Sequence, residues 1–147
     1  MDETSGADGG TAPLLEASLA LDNDGSRIAQ ARHLVSAFLT AARNDHGIPV
    51  VTATVEIVQL IVSELVTNAR KYAPGPALLR LRVTGAVVRV ALWDSNPVVP
   101  AAKPHDPERV GQHGLEIVRA LAQTVTVEQT PLGKRITADI ALTAATT

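Results

Sequence analysis

The chain has 147 residues, enough for one domain with a sizeable core; 46% of them are hydrophobic but only 2% aromatic, so Val, Leu, Ile and Ala must build that core. The net charge of −2 gives no electrostatic case for direct nucleic-acid binding, the lack of cysteine excludes disulfides and thiolate metal sites, and His33, His46, His105 and His113 do not stand at zinc-motif spacing. No apolar run is long enough to span a bilayer and the N-terminus lacks a basic, apolar signal sequence, so a soluble, cytoplasmic protein is expected.

Residues 1–12 are small, acidic and Gly-rich and read as a disordered tail; residues 13–147 read as a single domain. Leu15 to Leu21 alternates apolar and polar, which suits a strand. Asn23-Asp24-Gly25 breaks it, and Ser26 can cap a helix. Ile28, Ala31, Leu34, Val35, Phe38, Leu39 and Ala42 form one stripe of that helix, which should end near Asp45-His46-Gly47. Thr52 can cap a second helix, running to about Tyr72. It is apolar on most sides and should be covered on more than one. Pro74-Gly75-Pro76 stops it.

Ala77 to Val83 alternates, with Leu79, Leu81 and Val83 on one face and Arg80 and Arg82 on the other. Gly85-Ala86 fits a two-residue hairpin turn with Gly first, and Val87 to Trp93 returns as the partner strand. Residues 97–110 hold four prolines in an irregular loop. Gly111-Gln112-His113-Gly114 leads into a helix from Leu115. Val125 to Gln129 and Ile136 to Leu142 form a last hairpin through Pro131-Leu132-Gly133. Hairpins dominate, so the fold class expected is α+β: a two-layer α/β sandwich with three main helices on one face of a mostly antiparallel mixed sheet.

Three polar clusters stand out. Glu64 and Asn68 lie four residues apart, one turn above the other on one face of the apolar second helix. Such a pair is either hydrogen-bonded within the protein or holds a polar ligand. An amide oxygen suits a hard cation such as Mg²⁺, and a carboxylate one turn away can polarise a hydroxyl or a water. Asp94-Ser95-Asn96 ends a strand, where a plain turn is the simpler reading. Gly111-Gln112-His113-Gly114 precedes a helix, and turn geometry alone can explain its glycines.

The order ELVTNA, WDSN-P, Pro-rich loop and GQHGLEIV resembles the GHKL, or Bergerat, ATP-binding fold shared by histidine kinases and type II topoisomerases. Within it, IVSELVTNARKYAPG and VALWDSNPVVP are similar to the anti-sigma-factor serine/threonine-protein kinases, over about Leu14 to Leu142. The resemblance implies ATP and Mg²⁺ as cofactors. By position, Asn68 would ligate Mg²⁺, Glu64 would be the catalytic base toward a protein serine, and Asp94 would accept a hydrogen bond from the adenine amino group. Asn96 falls where the family often has Gly. Gly111 and Gly114 would let the backbone approach the phosphates, and the amides of the helix from Leu115 would favour the anion. His113 could contact phosphate or lie free in the loop. Arg70 and Lys71 support the helix end, and residues 97–110 would form a lid. Many relatives carry a Thr directly after the Gly of the last hairpin; here Lys134 and Arg135 follow Gly133.

The implied function is an ATP-binding transcription regulator: a Mg-ATP-dependent kinase that binds a sigma factor and phosphorylates an anti-sigma-factor antagonist. The alternative is a non-catalytic protein-interaction module of the same fold, controlling a partner with or without nucleotide. Neither needs direct nucleic-acid or membrane contact, and relatives commonly dimerise, which leaves a homodimer open.

Overall fold

The computed structural model describes residues 15–21, 27–72, 75–95 and 110–143. The expected tail at residues 1–12, the Ser26 cap, Pro74, Asn96 and the loop to residue 109 lie outside them. Among the described residues eight elements follow one another: β1 (Leu15–Leu21), α1 (Arg27–His46), α2 (Thr52–Tyr72), β2 (Ala77–Thr84), β3 (Val87–Asp94), α3 (Val110–Leu121), β4 (Thr124–Gln129) and β5 (Lys134–Ala141). This is the expected α+β architecture, with three helices and a five-stranded open sheet.

The strands lie in the order β1-β2-β3-β5-β4, and all four pairings are antiparallel. Period-two alternation decides which face of the sheet is dry. Leu79, Leu81 and Val83 of β2, Val88, Val90 and Leu92 of β3, and Ile136, Ala138 and Ile140 of β5 point to the helices and are buried. The other phase carries Arg80, Arg82, Arg89, Trp93 and Arg135. Arg80 lies 4.8 Å and Arg135 5.7 Å from the Trp93 ring centre. Acids answer these guanidiniums: Glu16 stands 3.3 and 3.6 Å from Arg80 and Arg82. Asp139 accepts two bonds from Arg89, at 2.7 and 3.0 Å, and so raises the Arg89 pKa further. Arg135 pairs with Glu128.

The apolar stripe of α1 buries Ala31, Val35, Phe38, Leu39 and Ala42, as its spacing predicts. Gly47 ends the helix at φ 67°, a conformation that disfavours a Cβ, and the Ile48 N–H returns to the Ala42 carbonyl at 3.0 Å. Thr52, expected as a cap, is the first residue of α2. Thr54 instead ties the helix start to the sheet: its hydroxyl donates to the Ala141 and Leu142 carbonyls at 2.9 and 3.0 Å. α2 packs against α1, α3 and strands β3 and β5, which explains apolar residues around most of it. Val58, Ile61, Val62, Leu65, Val66 and Ala69 are buried there.

The β2–β3 turn is the expected one: Gly85 has φ 59° and Thr84 pairs with Val87. Two boundaries differ. α3 begins at Val110, five residues before the expected Leu115, because the helix runs straight through Gly111 and Gly114. β5 begins at Lys134, two residues before Ile136, so Lys134 falls on the helix-facing phase of that strand. Among the described residues no helix is long and apolar enough to cross a membrane.

Candidate functional site: a polar layer between two helices and the sheet end

The middle of α2 presents Glu64 and Asn68, both half-buried, on the line that begins with the apolar Ile57, Leu60 and Ile61. Neither makes a side-chain hydrogen bond or ion pair among the described residues. Of the two readings open from the sequence, an internally satisfied pair and a ligand-holding pair, the first lacks its bonds among the described residues. Half-buried polar groups left this way fit an external polar partner.

α3 comes directly onto this pair. A Cβ built on Gly114 would stand 2.9 Å from Glu64 Oε1, so the absence of a side chain there lets the helix pass this close with the carboxylate where it is. Gly114 is thus a close-approach residue inside α3 rather than part of a turn before it. The helix start at Val110 also moves the free amides. The first four N–H groups of an α-helix lack intrahelical acceptors. In α3 the described ones belong to Val110, Gly111 and Gln112, not to Leu115, which lies in the second turn and packs against the core. The His113 side chain lies outside the described residues.

Asp94 ends β3 on the helix-facing side of the sheet and is 7% exposed. Its register partner on β5 is Lys134, 4% exposed, and Lys134 Nζ donates to Asp94 Oδ2 in a buried ion pair. Gly133, just before Lys134, sits so close to the Asp94 carbonyl that a Cβ there would overlap it. Ser95 closes the same corner, its hydroxyl donating to the Pro76 carbonyl at 2.6 Å. A cavity of about 480 Å³ opens here, walled by Pro76, Ala77, Trp93, Pro131 and Leu132 and reaching Asp94. Its size and apolar lining with one charged group suit a small-molecule site.

The donor set suits a magnesium nucleotide at its phosphate end. No group of three His, Cys, Asp or Glu side chains among the described residues could hold a metal unaided. A Mg²⁺ here would therefore need oxygens brought by a ligand, which matches its habit of taking few protein ligands plus phosphates. Asn68 offers an amide oxygen, Glu64 a carboxylate and α3 its free amides. Asp94, at the end of β3, is already engaged by Lys134. The sequence marks Lys134 only as a departure from the Thr that many relatives carry after this glycine; its inward position follows when the alternation of β5 is carried back from Ile136.

The family model of the histidine kinase-like ATPase domain matches residues 23–140. No curated protein matches the chain. Among solved structures, the fold is similar to the RsbU and RsbW domains of Rv1364c from Mycobacterium tuberculosis, with 20% identity and a TM-score of 0.64, over 89% of this chain and 33% of that one. The histidine kinase domain of the blue-light activated histidine kinase from Erythrobacter litoralis EL346 matches with 20% identity and a TM-score of 0.47, over 76% of this chain and 61% of that one. The chain thus spans about a third of the length of the first and less than two thirds of the second. The match to residues 23–140 covers most of the chain, and the chain belongs to the histidine kinase-like ATPase domain family.

Proposed function

We propose that this protein is an ATP-binding regulator of the anti-sigma-factor type and transfers phosphate from Mg-ATP to a serine of an antagonist protein. The observation that carries the proposal is the Glu64/Asn68 pair: two polar side chains on one face of a packed helix, without protein partners among the described residues, with α3 brought against them by Gly114. Bound Mg²⁺ would supply charge neutralisation on the phosphates. Asn68 would give it an amide oxygen. The amides of Val110 to Gln112 would favour the phosphate anion. Glu64 would take the proton of the attacking serine hydroxyl as its oxygen bonds the γ-phosphorus and the bond to the β-phosphate oxygen breaks. Such transfer depends mainly on positioning and charge stabilisation, which these residues are placed to provide.

The test is transfer of labelled phosphate from ATP to candidate antagonist proteins. The wild type should transfer, and Glu64→Gln should be slower by about 10²-fold or more. Equal transfer by the variant would overturn the role of Glu64. A second reading, a non-catalytic module that controls a sigma factor or antagonist by binding alone, is favoured by the buried Lys134–Asp94 pair. Calorimetry with Mg-ATP separates the two: binding without transfer supports the module, and binding with transfer supports the kinase.

A further inference from the structure

The face of the sheet turned away from the helices carries its side chains in rows across the strands. Glu16, Arg82, Arg89 and Asp139 stand in register in one row, and Trp93, Arg135 and Glu128 in another. The row between them is mostly short: Ser18, Arg80, Ala91, Thr137 and Thr126. Short side chains between long ones leave a hollow of about 270 Å³, floored by Ala91, Thr126 and Thr137 and walled by arginines and Trp93.

The described strands place four guanidiniums on this face against three carboxylates, and the pairing is uneven. Asp139 gives both oxygens to Arg89, and Glu128 is taken by Arg135. Arg80 and Arg82 are left to share Glu16, at 3.3 and 3.6 Å. The Nε of each is buried and donates no hydrogen bond among the described residues. Arg82 is also the register partner of Arg89, and like charges directly opposite each other destabilise a sheet. A buried donor without an acceptor is unfavourable too. One anion seated among Arg80, Arg82 and Arg89 relieves both.

We infer that this hollow binds a phosphoryl group, as inorganic phosphate or as a phosphate monoester. The guanidinium fork matches phosphate oxygens, and the Thr126 and Thr137 hydroxyls on the floor add neutral donors. A phosphate monoester brings about −1.5 to −2 of charge and three acceptor oxygens. A carboxylate brings a single charge and two oxygens, fewer than these donors can fill. The hollow lies across the sheet from Glu64 and Asn68, so the inference does not depend on the nucleotide reading.

Trp93 is the only tryptophan of the chain and lines the hollow, with Arg80 over its ring, so its fluorescence reads the site. The full chain is titrated with inorganic phosphate, O-phosphoserine and acetate, with chloride holding the ionic strength constant. Inorganic phosphate or O-phosphoserine should change the emission saturably with a Kd of about 1 mM or tighter, and acetate should bind at least about tenfold more weakly. Arg80→Gln and Arg82→Gln should each weaken phosphate binding about tenfold or more, the scale of a lost hydrogen bond to a charged group. A thermal melt establishes that they are folded, and Asn68→Ala should bind phosphate as the wild type does. Tighter binding of O-phosphoserine marks an esterified phosphate as the source, tighter binding of inorganic phosphate marks the free ion, and either supports the inference. No saturable change in the wild type overturns it, as does binding that the folded arginine variants leave unaltered or that Asn68→Ala abolishes. Acetate binding as tight as phosphate overturns the phosphoryl class. Copies of the chain that pair through this face in sedimentation, with Trp93 insensitive to phosphate, overturn it in favour of a self-association surface.

Discussion

Gly114→Ala separates stability from function at the meeting of α2 and α3. Position 114 is the fifth residue of a helix spanning Val110–Leu121, and glycine in a helix interior is about 0.8–1.0 kcal/mol less favourable than alanine. The new Cβ would lie 2.9 Å from Glu64 Oε1 but 3.7 and 3.8 Å from the Glu64 Cβ and carbonyl oxygen. Only the carboxylate end must move, by roughly half an ångström to reach ordinary contact distance. Glu64 has no side-chain bond among the described residues to lose by moving. The balance is a gain of about 0.5–1 kcal/mol, or a Tm rise of about 1–4 °C for a chain of this size. A displaced catalytic carboxylate should nevertheless slow phosphate transfer by about tenfold or more. Differential scanning fluorimetry and labelled-phosphate transfer read the two effects. A Tm fall of about 5 °C or more would show that the backbone of α3 cannot accept the methyl. Unchanged transfer would show that Glu64 is not the base.

At Gly133 the same change meets rigid backbone. Gly133→Ala drives its Cβ into the Asp94 carbonyl and should lower Tm by more than about 5 °C, since overpacking costs about 1–3 kcal/mol or more; a melt within a degree of wild type, about 0.3 kcal/mol, would refute the close approach. Leu81→Ala removes a side chain with no exposure in the middle of β2, an interior strand, and should cost about 2–5 kcal/mol in a urea titration. Asn68→Ala deletes a half-buried group with no side-chain partner among the described residues, so its melt should stay within about 0.5 kcal/mol of wild type. A larger loss would mark Asn68 as structural.

Local periodicity made most of the fold legible. Strict alternation in Leu79, Leu81 and Val83 predicts both the strand and its buried face, and Gly85-Ala86 predicts the turn, because each signal is contained within a few neighbouring residues. The multi-sided apolarity of α2 likewise foretells a helix covered by neighbours on several sides. The start of α3 was hidden because Gly111 and Gly114 are poor helix formers, and tertiary packing against Glu64 overrides that propensity. The state of Asp94 was hidden for a different reason. Its partner lies forty residues on, and their meeting depends on the β3–β5 register, which no local pattern encodes. Asp94 is legible as a candidate site residue by motif, while the ion pair it forms with Lys134 is not.

The most direct measurement is calorimetric titration of the wild type and Asn68→Ala with a purine nucleoside triphosphate, with and without Mg²⁺. The wild type should bind more tightly when Mg²⁺ is present, and Asn68→Ala should lose that Mg²⁺ dependence while keeping its melting temperature. Binding that is absent from the wild type, or indifferent to Mg²⁺ and to Asn68, would contradict a magnesium–nucleotide site at the Glu64/Asn68 pair.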